Sequence, residues 1–157
     1  MFQVSGFRFQ DNRGITLIEI LVATAIGAIV LAITFIAMNP GRQLAQARDS
    51  QRKSHVNAIL NAVRQNMADT RTSFSCAAGD VPTTTKKMAV GAGNYDIAPC
   101  LVPTFLFAMP YDPNTSTAHY ASNTDYNTAY TIVRNASTGQ ITVSAPAAET
   151  GAISVIR

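Results

Sequence analysis

The chain has 157 residues, a formal net charge of +3, only 13% charged residues and two cysteines. This length allows one domain, and so mild a charge does not by itself indicate a protein that binds nucleic acid. Alanine, threonine, serine and asparagine dominate the second half, which is typical of a secreted surface and argues against a cytosolic enzyme.

A long apolar segment extends from Ile15 to Met38. It contains one charged residue, Glu19, and no proline. A helix of this length rises roughly 36 Å, which is enough to cross a bilayer core of about 30 Å. Because no small-residue cleavage site of the secretory type follows Met38, we expect the segment to stay in the mature protein. The pattern therefore predicts a single-pass membrane helix.

Glu19 is unusual because it lies four positions inside this apolar segment. An unpaired carboxylate is costly in hydrocarbon, so an acidic residue in a span is a functional hypothesis that needs a partner. The segment contains no basic side chain, and the nearest one on its far side is Arg42. The alternative is that Glu19 lies at the interface and reaches the headgroups of a plain membrane anchor.

Gly14 followed by Ile-Thr-Leu-Ile-Glu and an apolar helix resembles the prepilin signature of type IV pilins and of the pseudopilins of type II secretion. The resemblance implies a leader peptide over 1–14, cleavage between Gly14 and Ile15 by a prepilin peptidase, and N-methylation of Ile15. It also implies that Glu19 pairs with the amino terminus of a neighbouring subunit in the growing fibre. Such a pair makes physical sense, because burial forces opposite charges to pair.

The helix is predicted to continue beyond the membrane segment as an amphipathic half. Apolar residues recur there at helical spacing, namely Val56, Ile59, Leu60, Val63 and Met67. We therefore expect one long helix from Ile15 to about Asp69, with a transmembrane half over 15–38 and an amphipathic half over 39–69. Pro40 is expected either in the first turn of the second half or as a kink.

Basic side chains give the middle of this helix a positive character, namely Arg42, Arg48, Arg52, Lys53 and Arg64. One interpretation is a stripe that binds phosphates of lipid headgroups or DNA. The other is a solvated or intersubunit face, which we favour because no aromatic side chain interleaves for base stacking. The excess of basic residues on this flank would place the carboxyl-terminal part in the cytoplasm. The resemblance implies the opposite orientation, and its motif is the more specific signal.

Residues 70–157 are predicted to form a globular head. Glycine and proline punctuate 70–127, so most of that region is expected to be loop, with one short element over 101–109 that packs Phe105 and Phe107 on the amphipathic helix. Alternating residues over 130–134 and 141–144 predict a hairpin, and 152–156 a third strand. The predicted fold class is α+β, with a long amino-terminal helix packed on a small carboxyl-terminal antiparallel sheet, which is a pilin-like arrangement.

Cys76 and Cys100 both lie downstream of the membrane segment and can pair if that side is oxidising. A bridge closing about 25 residues would add roughly 3.5 kcal/mol in the chain-entropy model. The alternative is two free buried thiols.

An alternative is a Ca²⁺ site, as in a loop of some major pseudopilins, formed by four oxygen side chains, namely Asp112, Asn114, Asn123 and Asp125. They do not match EF-hand spacing and such residues are common in turns, so we expect no metal and no cofactor. The two histidines, His55 and His119, lie in no catalytic motif, so no enzyme is predicted.

The expected function is a structural subunit of a type IV pilus-like filament. The expected partners are copies of the same chain in a helical filament, a prepilin peptidase that also methylates, and the membrane assembly machinery. The subunit is expected in the inner membrane before assembly and outside the cell afterwards. The alternatives are a pseudopilin in a periplasmic pseudopilus and an anchored binding domain that never polymerises. The cysteine pair and the missing compact Ca²⁺ loop favour the pilus, and DNA stays unsupported as a partner.

Overall fold

The computed structural model describes residues 14–37, 39–71 and 73–157. The predicted leader over 1–14 therefore lies outside the described residues, except for Gly14. The chain divides into two compact units with the boundary between Pro40 and Gly41. The helices and strands follow in chain order: α1 (Leu17–Ala37), α2 (Pro40–Thr70), β1 (Lys86–Ala89), α3 (Ala98–Leu101), β2 (His119–Ser122), β3 (Asp125–Arg134), β4 (Ile141–Ala145) and β5 (Ile153–Ile156).

The first unit consists mainly of α1. Within the described residues, Leu17–Ile36 is the stretch with the length and composition of a membrane span, with a mean hydropathy of 2.5. The hydroxyl of Thr34 donates to the carbonyl oxygen of Leu31 at 2.8 Å. Such bonds satisfy hydroxyl groups inside the helix, which hydrocarbon requires because it contains no water to pair with them.

The expected continuous helix is two helices. α1 ends at Ala37 and α2 begins at Pro40. Proline fits the first turn of a helix, where its missing amide is not needed, and it drives the preceding residue away from the helical region. Asn39 accordingly has φ of 39°, a left-handed conformation that asparagine tolerates better than most residues. The placement of Pro40 in a first turn is confirmed, and a kink within one helix is wrong.

In the second unit, α2 packs on the sheet through the predicted apolar stripe. Val56, Ile59, Leu60 and Val63 are buried together with residues of the sheet, namely Tyr130, Ile132, Ile141, Val143 and Ile153. Each fully buried side chain of this kind contributes about 1.5–3 kcal/mol relative to exposure. The α+β prediction, with a helix on an antiparallel sheet, is confirmed.

The sheet has five antiparallel strands in the order β1-β3-β4-β5, with β2 also pairing with β3. The hairpin of β3 and β4 aligns Ile132 with Val143 and Arg134 with Ile141. In its turn Gly139 has φ of 72°, which glycine adopts without strain. These strands and β5 confirm the predicted hairpin and third strand. β1 and β2 lie in the region predicted to be mostly loop, and this part of the prediction is wrong. Strands of four residues between glycines and prolines carry too short a pattern to detect in the sequence.

The segment over 101–109 forms turns after α3. The amides of Phe105 and Leu106 both donate to the carbonyl oxygen of Leu101, at 2.8 and 3.0 Å. This tight turn packs Phe105 against the core, whereas Phe107 is 97% exposed. The expected packing of Phe107 on the amphipathic helix is therefore wrong.

Candidate functional site

The predicted processing site lies just before α1. Gly14, Ile15 and Thr16 are exposed and outside the helix. The peptide bond after Gly14 is therefore accessible and not protected by helical hydrogen bonds. Glu19 is exposed in the first turn of α1, where a carboxylate interacts favourably with the positive end of the helix dipole. An α-amino group created on Ile15 would lie about one helical turn from Glu19 along the chain.

Thr16 is a further residue of this site that the sequence analysis missed. Its Oγ1 accepts a hydrogen bond from the amide of Glu19 at 3.3 Å, and its carbonyl oxygen accepts from the amide of Ile20 at 3.3 Å. Thr16 therefore caps α1 and sets where the helix begins. The signal was present, because threonine followed by glutamate three positions later before an apolar run is a capping-box pattern.

Apart from Glu19 and two threonines, the surface of α1 is apolar. Its large aliphatic and aromatic side chains are 48–83% exposed. A helix with such a surface is stable only in hydrocarbon or among other apolar helices. This chemistry is consistent with membrane anchoring and equally with a helical bundle.

A cluster of charged side chains ties α2 to two loops of the second unit. We call it the Arg52 cluster, and it comprises Arg48, Asp49, Arg52, Asp112 and Glu149. Arg52 is 1% exposed and binds Asp112 through two nitrogens, Nε to Oδ2 at 2.7 Å and Nη2 to Oδ1 at 3.1 Å. Its Nη1 donates to Asp49 Oδ1 at 2.8 Å and to Glu149 Oε1 at 2.9 Å. Nε of Arg48 donates to Glu149 Oε1 at 2.7 Å.

Backbone groups complete the hydrogen bonding of the two buried carboxylates. Asp49 accepts from the amides of Glu149 and Thr150, at 3.0 and 2.7 Å, and from the Thr150 hydroxyl at 2.6 Å. Asp112 Oδ1 accepts from the amides of Asn114 and Thr115, both at 2.9 Å. Each carboxylate therefore holds one loop on α2. Buried charges are tolerated when they are paired and hydrogen-bonded in this way.

The same contacts lower the pKa values of the three acids of the cluster, Asp49, Asp112 and Glu149. The Thr150 hydroxyl, with the loop amides and Arg52, holds the pKa of Asp49 well below its usual range. Burial raises the pKa of Asp112, but Arg52 and the hydrogen bonds from the loop outweigh burial and lower it to about 2. Arg48 and then Arg52 lower the pKa of Glu149 to about 2. The three acids are therefore ionised at neutral pH.

The Arg52 cluster corrects the interpretation of the basic stripe. Arg48 and Arg52 are bound by carboxylates of their own chain, so they form neither a phosphate-binding stripe nor a face for acids of a neighbour. Asp112 and Glu149 lie 60 and 97 residues from Arg52 in sequence. Lys53 is exposed on α2, and so is Arg64.

The two cysteines are joined in the structure by a disulfide with a Cα–Cα distance of 5.2 Å. It connects the segment after α2 with α3. Beside it, Nδ2 of Asn66 on α2 donates to the carbonyl oxygens of Ser75 and Cys100 at 3.1 and 3.3 Å. The bridge and this amide together hold the start of the loop region against the end of α2.

Replacing Cys76 and Cys100 together by serine is expected to lower the free energy of unfolding by about 3.5 kcal/mol, because the bridge closes a loop with a sequence separation of 24. Guanidinium unfolding of the full chain in detergent, followed by circular dichroism, measures this change. Reductant should destabilise the wild type by the same amount and leave the double variant unaffected. Equal stability of wild type and variant under oxidising conditions contradicts the prediction.

Three of the four candidate Ca²⁺ ligands have other side-chain partners. Asp112 binds Arg52 and also accepts from the backbone amide of Asn114, and Asp125 Oδ1 lies 3.0 Å from His119 Nε2. Oδ1 of Asn123 accepts from the Tyr120 hydroxyl at 2.8 Å. Among the described residues, no group of three or more histidine, cysteine or acidic side chains is placed to hold a metal ion.

The two histidines lie in different surroundings. Nδ1 of His55 on α2 is 3.0 Å from the Tyr130 hydroxyl on β3, and burial lowers the pKa of this imidazole. The imidazole of His119 is exposed, and its hydrogen bond to Asp125 raises its pKa. The two imidazoles therefore have different neighbours and do not form one reactive site.

The family model described as the prokaryotic N-terminal methylation motif matches residues 10–35. The match includes Gly14, Ile15 and Glu19 and most of α1. No curated protein sequence and no solved structure matches the chain.

Proposed function

We propose that this chain, which carries the prepilin signal of type IV pilins and pseudopilins, is a structural subunit of a type IV pilus-like filament. The motif supports a structural protein of the pilin or pseudopilin class and implies processing by a prepilin peptidase. One observation carries the finer proposal. The motif match over 10–35 includes Glu19, the lone carboxylate of α1, which lies in the first turn of this otherwise mostly apolar helix.

Processing is the first step of the proposed mechanism. Hydrolysis of the Gly14–Ile15 bond releases the leader and creates an α-amino group on Ile15. Methylation of this nitrogen retains its positive charge, so the new terminus can pair with a carboxylate. Exposure of residues 14–16 ahead of the helix supports this step.

Assembly is the second step. α1 exchanges lipid for the apolar helices of neighbouring copies, which costs little because most of its surface is apolar. The charged amino terminus leaves water in this bundle and needs a fixed counter-charge. Glu19 of a neighbouring copy supplies that charge, and the pair sets the axial register between the copies.

The second unit forms the outer part of the proposed filament. In this proposal residues 1–14 are the leader, 15–38 anchor the subunit and then assemble it, 39–69 connect the anchor to the head, and 70–157 complete the head. The subunit lies in the inner membrane before assembly and in an extracellular filament afterwards. The disulfide fits that oxidising location.

The intact mass of the membrane-extracted protein tests the proposal. We expect a chain that starts at N-methylated Ile15, so the mass of residues 1–14 is missing and that of one CH2 group is added, because a methyl group replaces a hydrogen. A Gly14→Leu variant is the matched control, and it should keep residues 1–14 because the bulky side chain blocks the peptidase. A wild-type chain that retains Met1 to Gly14 contradicts processing and favours an anchored domain that does not polymerise.

A pseudopilin of type II secretion is the second candidate, because the motif at 10–35 belongs to both classes. Negative-stain microscopy of material sheared from cells distinguishes them. Long filaments support the pilus, whereas a processed subunit without surface filaments supports the periplasmic pseudopilus.

A further inference from the structure

Phe107 is an anomaly in the second unit. Its side chain is 97% exposed, although the neighbouring Phe105 and Met109 pack into the core. Other exposed apolar side chains of this unit are less extreme, such as Ile156 at 56%. An aromatic ring that is almost fully exposed presents a large apolar area to water, so its burial by a partner is favourable.

The same unit contains an open apolar cavity of about 170 Å³ that Phe107 does not line. Met67, Phe74, Val81 and Ile141 form its apolar wall, and the rest of its lining is polar or small, namely Ser73, Asp80, Arg134 and Gly139. A cavity on the order of 150 Å³ is large enough for benzene, so an aromatic side chain fits this one in size. The guanidinium of Arg134, whose Nε donates to the Val81 carbonyl oxygen at 3.3 Å, offers a cation–π contact to a ring.

The loop of Phe107 and the cavity are attached to opposite ends of β3. Nδ2 of Asn123, just before β3, donates to the carbonyl oxygen of Val102 at 3.2 Å, which anchors the loop there. Arg134, at the cavity, is the last residue of β3. A strand of ten residues is roughly 30 Å long. The ring of Phe107 and the cavity therefore belong to the same unit, but the ring does not reach the cavity of its own chain.

We propose that Phe107 inserts into the cavity formed by Met67, Phe74, Val81 and Ile141 of a second copy of this chain. The two surfaces are different, so the contact is heterologous and each copy keeps one free ring and one free cavity. Heterologous contacts that do not close into a ring produce open helical fibres. This inference rests on the proposed filament and adds a contact between the outer units to the packing of α1.

A photoreactive analogue at position 107 tests the contact. We would incorporate p-benzoylphenylalanine in place of Phe107 in the full-length chain, irradiate purified filaments and map the cross-links by mass spectrometry. The expected result is a ladder of covalent multimers whose cross-links join position 107 to the peptides that contain Met67, Phe74, Val81 or Ile141. The same analogue at Ile156 is the matched control and should give no such ladder.

A second variant measures the effect without a cross-linker. Phe107→Ser is expected to lower filament yield at least tenfold and to leave the thermal midpoint of the monomer in detergent unchanged, because the ring is almost fully exposed in its own chain. Ile156→Ser removes a comparable exposed apolar side chain and should give a normal yield.

The outcomes separate this contact from filament formation itself. Dimers alone would mean that two copies of Phe107 meet each other, and cross-links to other peptides or to another protein would mean a different partner. Either result, or a normal yield from Phe107→Ser, overturns the inference while the filament proposal stands. Failure of the processed wild-type chain to form filaments overturns both.

Discussion

Replacing Arg52 by methionine is expected to lower the free energy of unfolding of the second unit by about 3–5 kcal/mol. The side chain is buried and binds Asp49, Asp112 and Glu149. Methionine fills much of the volume but leaves Asp49 and Asp112 as buried carboxylates without their common cation. In a unit of this size the loss corresponds to a thermal midpoint lower by roughly 10–20 °C. Thermal unfolding of the full chain in detergent, followed by the near-ultraviolet circular dichroism of its tyrosines, measures this change in thermal midpoint.

Arg48→Met is the matched control, because Arg48 lies one turn earlier on α2 and its side chain is 31% exposed. We expect a loss below about 1 kcal/mol, since an exposed ion pair contributes little. Equal effects of the two substitutions would show that the Arg52 cluster does not act as a buried unit.

Acid sensitivity provides a second readout of the same substitution. The folded pKa values of Asp112 and Glu149 are about 2, below the ordinary values of about 3.9 and 4.3. Their contribution to stability is therefore complete above about pH 5 and is lost as the pH falls towards 2. Without Arg52, the pKa of Asp112 rises and this acid dependence becomes shallower.

Replacing Glu19 by alanine is expected to leave cleavage and membrane insertion intact and to reduce filament yield at least tenfold. The α-amino group of a processed neighbour would then enter the helical bundle without a counter-charge, at a cost of several kcal/mol, and each 1.4 kcal/mol corresponds to about a factor of ten. Immunoblotting of sheared and cell-bound fractions measures the yield, and intact mass shows whether residues 1–14 have been removed.

Two further substitutions make this result specific. Glu19→Gln keeps the length of the side chain but removes its charge, so it should share the loss. Thr24→Ala removes a hydroxyl that bonds only within α1, to the carbonyl oxygen of Leu21 at 3.0 Å, and should assemble normally. Wild-type yield from Glu19→Ala would remove our account of this residue.

The Arg52 cluster also shows the physical reason why the predicted basic stripe on α2 is wrong for Arg48 and Arg52. From the sequence, Arg48 and Arg52 are cations on a helix with one nearby acid, Asp49. Their other partners come from loops before β2 and before β5, and chain topology alone brings those loops to α2. A local pattern cannot show whether a helical arginine faces water or a carboxylate distant in sequence.

Several features of this protein were determined by the sequence itself. The apolar helix α1, the motif from Gly14 to Glu19, the apolar stripe of α2 and the hairpin of β3 and β4 all depend on periodicity and spacing within about twenty residues. Such patterns reflect local geometry, the 3.6-residue turn of a helix and the two-residue alternation of a strand, so they can be interpreted without knowing the fold.

Tertiary structure alone decided the features that join distant parts of the chain. It buried Arg52 among three carboxylates, added β1 and β2 to the edges of β3, and turned Phe107 away from the core while packing Phe105 into it. In each case the environment of a side chain depends on what the folded chain brings beside it. Those neighbours set the free energy of burying a charge or of leaving a ring in water. Because they are distant along the chain, a local sequence pattern cannot identify them.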